Sequence, residues 1–487
     1  MKAAAVVALA LSALAAAPAA SALERLPAVL HVHSDLTTGD LALEELVRAA
    51  EGQGIQALLL SENYLLRIEY GLLPFRALTR VAAEAPGVLG PGVERYLARV
   101  EEIRRRQSRV LLLPGVEVVP HYRWTGSPLG VDLTVHDSQR NLLVFGVTDP
   151  ALLSRLPVIG NRDEPIYTWQ SALDALPGLL VLPGLVLVLR RRRHRRRIGG
   201  AVVVVRRRAW FTGGLLVGLG VLALVRGWPF TIDRYPPWED FGTEPHQALI
   251  DHVEHLGGAV VWSFPEAVDN GQRNLGPLRV TWQTQPYPDD LLRTARYTAF
   301  GGLYEQPVHV VDPGGVWDRL LVQYAAGERS RPAWAVGESG FHGFTAGKRV
   351  GSVQTIFLVQ ERSEAAVLAA LRRGRLYALQ RAPDAELVLA DYSVVAGGAV
   401  AQSGDRLPVA AGTPLEVRIG VEANPGLPLP VRVTLVRNGA VVEAWAGQTP
   451  FRAVHREQAD GPTVFRVDVR STAPHRLLTS PIFVGGP

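Results

Sequence analysis

The sequence predicts an α/β protein with a separate β-rich end, and three observations lead there. Strand-like and helix-like segments alternate on both sides of a central apolar region. Polar residues able to act as ligands fall where predicted strands end. From about residue 383 the apolar spacing changes to every second residue. A parallel βα sheet or barrel, interrupted once and followed by a β-sandwich, satisfies all three.

In chain order, residues 27–33 read as a strand and Leu41 to Glu51 as a helix capped by Asp40, with Glu44 and Glu45 in its first turn. Ile55 to Ser61 is a buried apolar strand, Pro91 to Arg106 an amphipathic helix, and Val110 to Pro114 and Asn141 to Val147 are strands. After the apolar region come a helix at His246 to Leu256, strands at Ala259 to Trp262 and Val308 to Val311, and a helix at Val316 to Ala325. Strands at Trp334 to Gly337 and Thr355 to Val359, a helix at Ser363 to Arg373 and a strand at Arg375 to Ala378 complete the series. Beyond 383, Leu415 to Val421, Val431 to Arg437 and Val464 to Val469 alternate apolar and polar residues. Asn438-Gly439 marks a hairpin, and about one hundred residues of short strands suggest an Ig-like β-sandwich.

Cysteine is absent, which excludes disulfides, thiolate ligands and a cysteine nucleophile. Ten arginines lie within residues 190–208, and removing them from the net charge of +5 leaves −5. The chain therefore carries one basic loop and gives no reason to expect nucleic acid.

Hydrophobic residues make up 47% of the chain, and mean hydropathy is +0.11. Residues 1–22 have a positive start, an apolar core and Ala20-Ser21-Ala22, which reads as a secretory signal peptide. Ala175 to Leu189 and Ala209 to Val225 are uncharged apolar runs flanked by Trp169, Trp210 and Trp228. With the arginines between them they predict a transmembrane hairpin whose loop, residues 190–208, is cytoplasmic. Both flanks then lie outside the cytoplasm, in the periplasm or at the cell exterior. The expected divisions are 1–22 signal peptide, 23–172 first flank, 173–227 hairpin, 228–382 second flank and 383–487 sandwich. Two short helices do not build a translocation path, so a transporter is not expected.

His31 and His33, at i and i+2 on a strand, would present two imidazoles on one face to a metal ion. Glu117 ends another strand, as do Ser61, Glu62, Ser263 and Glu338.

The segments HVHSDLTTGDLALEELVRAAEGQGIQALLLSEN, LLLPGVEV, AVVWSFPEA, AVGESGFHG and SEAAVLAALRRGRLYAL resemble the motifs of the PHP (polymerase and histidinol phosphatase) family over residues 28–380. With VTLVRNGAVV and LLTSPIFV behind them, the chain is most similar to exported PHP proteins related to the CehA/McbA metallohydrolases. The resemblance implies a distorted seven-stranded βα barrel and a divalent-metal hydrolase. It implies His31, His33, Glu117 and His342 as ligands, with Asp40 a further candidate beside its role as a cap. The sequence departs from the pattern at Thr38, Asn63, Asn141, Phe264 and Gly340, where the family carries ligands. At most one ion, zinc, manganese or iron, is expected. Glu62 or His342 would act as acid/base, and Glu62 or Glu338 could replace lost carboxylates.

Two functions follow. One is a membrane-tethered extracytoplasmic metal-dependent hydrolase of a small ester or phosphoester, anchored in lipid by its hairpin. The other is a PHP scaffold without catalysis, acting as a binding or sensory module. The arginine loop serves topology and would also attract anionic lipid.

Overall fold

The computed structural model describes residues 23–107, 109–130, 132–161 and 165–486; the signal-peptide expectation falls outside them. The fold is mixed α/β. In one sheet, strand Glu24–Val32 pairs in parallel with Ala57–Leu60, which pairs in parallel with Leu111–Leu113. Its other edge pairs antiparallel with Val353–Val359, followed by Leu376–Gln380. A second, six-stranded sheet runs Trp334–Gly337, Ala299–Leu303, Ala259–Trp262, Leu142–Phe145, Gly115–Val118 and Glu62–Asn63. The chain passes directly from one sheet to the other at residues 57–63 and 111–118. A bridge from Val32 to Phe341 joins them again.

Pairing crosses the central insertion: Leu142–Phe145 lies antiparallel to Ala259–Trp262. The sheets are thus mixed, where strand–helix alternation predicts parallel strands. The link from Gly115–Val118 to Leu142–Phe145 contains no crossover helix, so those strands pair antiparallel. Apolar faces of helices Leu43–Gly52, Val93–Arg106, Glu244–His255, Val316–Ala325 and Glu364–Arg373 join the same core.

Two local expectations are corrected. Val308–Val311 is not a strand; the strand is Ala299–Leu303, whose glycines hide it from β-propensity. They are needed there: a Cβ on Gly301 would lie 1.9 Å from Glu338 Oε2, and one on Gly302 would lie 2.5 Å from Ala335 Cβ. Asp40 does not cap the first helix, which begins at Leu43 with Ala42 as its N-cap. Its carboxylate instead accepts from Thr345 N and Oγ1 at 3.1 and 2.6 Å.

The two apolar runs form spans at Trp169–Leu189 and Trp210–Gly227, long and apolar enough to cross a membrane. Leu182, Leu185, Leu189, Leu215 and Val225 are exposed. Where the helices meet, backbones come close: a Cβ on Gly184 would lie 2.8 Å from Val217 N, and one on Gly220 would lie 3.1 Å from Gly178 O. Pro177 sits in a 3-10 turn, Leu176–Leu180, inside the first span. The arginine-rich connection is a two-stranded ribbon, Arg192–Ile198 with Ala201–Arg207.

Beyond 383, Glu386–Ala396, Ala399–Gln402, Pro414–Asn424 and Phe451–Gln458 make a four-stranded sheet. Strands Pro430–Arg437, Ala440–Gln448, Thr463–Arg470 and Arg476–Thr479 extend the first sheet. Leu387, Val417, Val433 and Val467 from both sheets share one apolar core. Asn438 and Gly439 form the expected hairpin turn, both with positive φ, 49° and 85°. Arg466 grips Asp318 with two hydrogen bonds, 2.5 and 2.6 Å, fully buried where these strands meet helix Val316–Ala325.

Candidate metal centre

His31 lies where the pairing of strand Glu24–Val32 shifts register, and its φ is +67°. A buried histidine in the left-handed region costs on the order of 1–3 kcal/mol, and such strain clusters at functional sites. The two imidazoles therefore converge through this irregularity and not through the regular strand alternation expected from sequence. His31 Nε2 and His33 Nε2 are 3.1 Å apart. Glu117, on strand Gly115–Val118, places Oε1 3.3 Å from His31 Nε2 and Oε2 3.4 Å from His33 Nε2.

Each of the three side chains brings one ligand atom within 4.8 Å of the other two, a spacing that a single ion can bridge. The three side chains form the candidate metal cluster found among the described residues. His31 Nδ1 lies 2.6 Å from Glu338 Oε1. With the ring proton on Nδ1, the bond to Glu338 leaves the Nε2 lone pair facing His33 and Glu117, the arrangement that orients a metal-bound histidine. Glu338 is fixed in turn by Ser263 Oγ at 2.6 Å and the amide of Phe264 at 3.1 Å. Asn141 Nδ2 donates to Glu117 Oε1 at 2.6 Å.

The electrostatics of these side chains suit a cation. Burial opposes charge on His31, yet Glu117 and Glu338 lift its pKa to about 9. Burial also works against ionised Glu117, but His31, His33 and His342 hold it down to about 2. Burial lowers His33, with the neighbouring His31 and His342 adding to the effect. A buried carboxylate surrounded by imidazoles has more negative charge to offer once His31 gives up its proton.

The remaining expected residues separate. His342 belongs to the site: its ring stacks on His33, centroids 4.0 Å apart, and its Nδ1 lies 3.0 Å from Thr38 Oγ1. Asn63 Nδ2 donates to the same Thr38 oxygen at 2.8 Å. Glu62 is fully buried, and both its oxygens are engaged, one by Ser34 N and Oγ, the other by Thr37 Oγ1. Burial raises its pKa to about 7. Asp40, tied to Thr345, stands outside the triad. Glu338, offered as a substitute carboxylate, contacts His31 through Nδ1 and lies outside the triad. Sequence reasoning missed that contact and the bond from Asn141 to Glu117, although the paired glycines opposite Glu338 signalled a close approach.

His31, Glu117 and His342 open onto a cavity of about 530 Å³, also lined by Asn141, Phe264 and Lys348. Phe264, at φ +39°, stacks on His31 with centroids 5.2 Å apart. Lys348 Nζ donates to Ser339 O at 2.7 Å, and burial lowers its pKa.

No family profile matches the chain, and no curated protein matches it. Among solved structures, it is similar to a two-domain protein from Bacteroides vulgatus containing a predicted PHP-like metal-dependent phosphoesterase. Identity is 12% and the TM-score 0.36, over 92% of this chain and 90% of that one. A candidate metal-dependent phosphoesterase from Bifidobacterium adolescentis is 15% identical with a TM-score of 0.26, over 66% of this chain and 89% of that one. Both likenesses are loose.

Proposed function

We propose that the chain is a membrane-tethered metal-dependent hydrolase of an ester or phosphoester, of the PHP kind, holding one divalent ion between His31, His33 and Glu117. The observation that carries this reading is the relay from Glu338 through His31 to the point shared with His33 and Glu117. A chance cluster has no need of a carboxylate fixing the far nitrogen of one imidazole. In this reading the two mixed sheets are a distorted barrel, the strands beyond 383 are an Ig-like sandwich, and the flanks 23–172 and 228–382 form one unit interrupted by the hairpin 173–227.

Zinc, manganese or iron bound there would supply Lewis-acid polarisation of the scissile group and a more acidic water. The chain's own residues do the rest. Glu338 holds the His31 ring and its tautomer, and Asn141 holds Glu117. His342, whose pKa burial lowers, is neutral at the cavity wall and can accept a proton. Glu62, enclosed by Ser34 and Thr37, supports the turn after His33 and takes no part in proton transfer. The exposed apolar surface of the two spans supports insertion in a bilayer, with the arginine ribbon cytoplasmic and the site outside.

A second reading, a binding or sensory module without catalysis, is favoured by one observation. Asn63, Asn141, Phe264 and Gly340 stand where the PHP pattern has ligands, and Phe264 and Gly340 leave little room for another ion. Metal analysis of the purified full chain, with turnover of aryl esters and aryl phosphates before and after chelation, decides. One ion per chain with chelator-sensitive hydrolysis supports the hydrolase. One ion without hydrolysis supports the module, and a protein that takes up no ion overturns the metal site.

A further inference from the structure

The hairpin is not the chain's sole apolar projection. Between strand Leu66–Tyr70 and the short helix Arg76–Thr79 runs Gly71-Leu72-Leu73-Pro74-Phe75. Leu72, Leu73 and Phe75 are 47%, 41% and 45% exposed. A loop meeting water alone has no reason to display three large apolar side chains in four residues.

Its location explains them. Helix Arg76–Thr79 packs against helix Trp210–Gly227. The contact is at the end of that helix: Arg76, Ala77 and Arg80 share a small cavity with Asp174, Arg226 and Phe230. Trp169 and Trp228, 68% and 76% exposed, begin one span and follow the other. Aromatic residues in such positions lie at the water–lipid boundary. Whatever packs beside Arg226 therefore lies at that boundary too.

We propose that residues 71–75 are a second membrane contact, an apolar loop that enters the outer face of the bilayer beside the open end of the hairpin. The proposal rests on the reading of the two spans as membrane-crossing. The occupant of the loop's exposed face is lipid. Arg80 and Arg226, which reach the surface, sit at headgroup level, where arginines extend their stems along apolar surface and keep their charge in the polar layer. Arg76 is buried against Glu69 at 2.6 Å, and Glu69 also lies 3.9 Å from Arg80, so the contact is chiefly apolar. A one-point anchor leaves the outer domain free to tilt. A second contact fixes its orientation on the membrane.

Because the chain has no cysteine, single labelling sites are free of background. Leu73→Cys, Leu182→Cys and Leu427→Cys would each carry the environment-sensitive dye NBD on the full chain. The proteins would be reconstituted in phosphatidylcholine vesicles containing phosphatidylglycerol and doxyl-labelled phosphatidylcholine. Leu182 lies in the first span and Leu427, exposed, lies in the C-terminal strand region. The expected result is blue-shifted, doxyl-quenched emission at 73 and 182, and unquenched aqueous emission at 427. Phe75→Cys should repeat the result at 73. Quenching at 182 with aqueous emission at 73 and 75 overturns the proposal and leaves the hairpin intact. Aqueous emission at 182 overturns the hairpin reading and the proposal with it.

Discussion

Phe264 stacks on His31, and a side chain at Gly340 would strike that same phenyl ring, its Cβ 2.7 Å from Phe264 Cζ. Phe264 and Gly340 are thus one arrangement: the ring fills the space that a carboxylate at position 340 would need. Gly340 also has φ +55°. Gly340→Asp should therefore fail to raise metal uptake and should cost on the order of 1–3 kcal/mol, read as a lower melting temperature. Pairing it with Phe264→His removes the clash. If Gly340→Asp alone binds a second ion at full stability, Phe264 is not the obstacle.

Removing the carboxylate that orients His31 should weaken the site without emptying it. Glu338→Gln is expected to reduce metal affinity roughly 10–100-fold. His31→Ala or His33→Ala should abolish stoichiometric binding. Competition titration with a chromogenic chelator separates the three. Equal loss in all of them would mean that Glu338 supports the fold and not the ligand.

Glu62 gives a pH signature. Its folded pKa, about 7, lies above the ordinary 4.5 because of burial. A raised carboxyl pKa contributes stability that is fully present below about 4.5 and is lost as pH rises through about 7. The amount is on the order of 3 kcal/mol. Glu62→Gln mimics the protonated form, since its amide can donate to Thr37 while its oxygen accepts from Ser34. Melting temperatures between pH 5 and 8 should fall for the parent protein and stay flatter for the variant. Parallel curves would show Glu62 ionised throughout.

Topology is open to direct reporting. A reporter inserted at Gly199-Gly200, the exposed turn of the arginine ribbon, should behave as cytoplasmic, and one fused to the C-terminus as exported. Both reporting from one side would remove the hairpin. Replacing the ten arginines by glutamine should mix the orientations.

The Arg466–Asp318 pair predicts an asymmetry. Asp318→Ala should cost about 3–5 kcal/mol, because a buried guanidinium is left uncompensated. A double change to apolar residues of similar size should recover most of it. A double variant as unstable as the single one would show that the pair's geometry, beyond its charge, holds the two regions together.

Much of this arrangement was legible in the sequence. Helix Val316–Ala325 and strands Ala259–Trp262 and Trp334–Gly337 fall as expected, and Ser363 caps its helix through Ala366 N. Their apolar spacing and caps are local signals. Strand Ala299–Leu303 was hidden because its glycines answer to Glu338 and Ala335, far away in sequence. The His31, His33 and Glu117 cluster was visible as residue types, but the left-handed backbone that joins the imidazoles was not. Asp40 misled because a helix cap and a bond to Thr345 leave the same trace in sequence.

The pairing of Leu142–Phe145 with Ala259–Trp262, and of Glu24–Val32 with Val353–Val359, bears on how the protein is made. In each pair the N-terminal strand is synthesised long before the strand it joins. The earlier half must wait with open sheet edges until the later half arrives, and open edges invite pairing with other chains. A ribosome that stalls inside the arginine-rich codons would lengthen that interval, so yield of intact protein should depend on how quickly this stretch is translated.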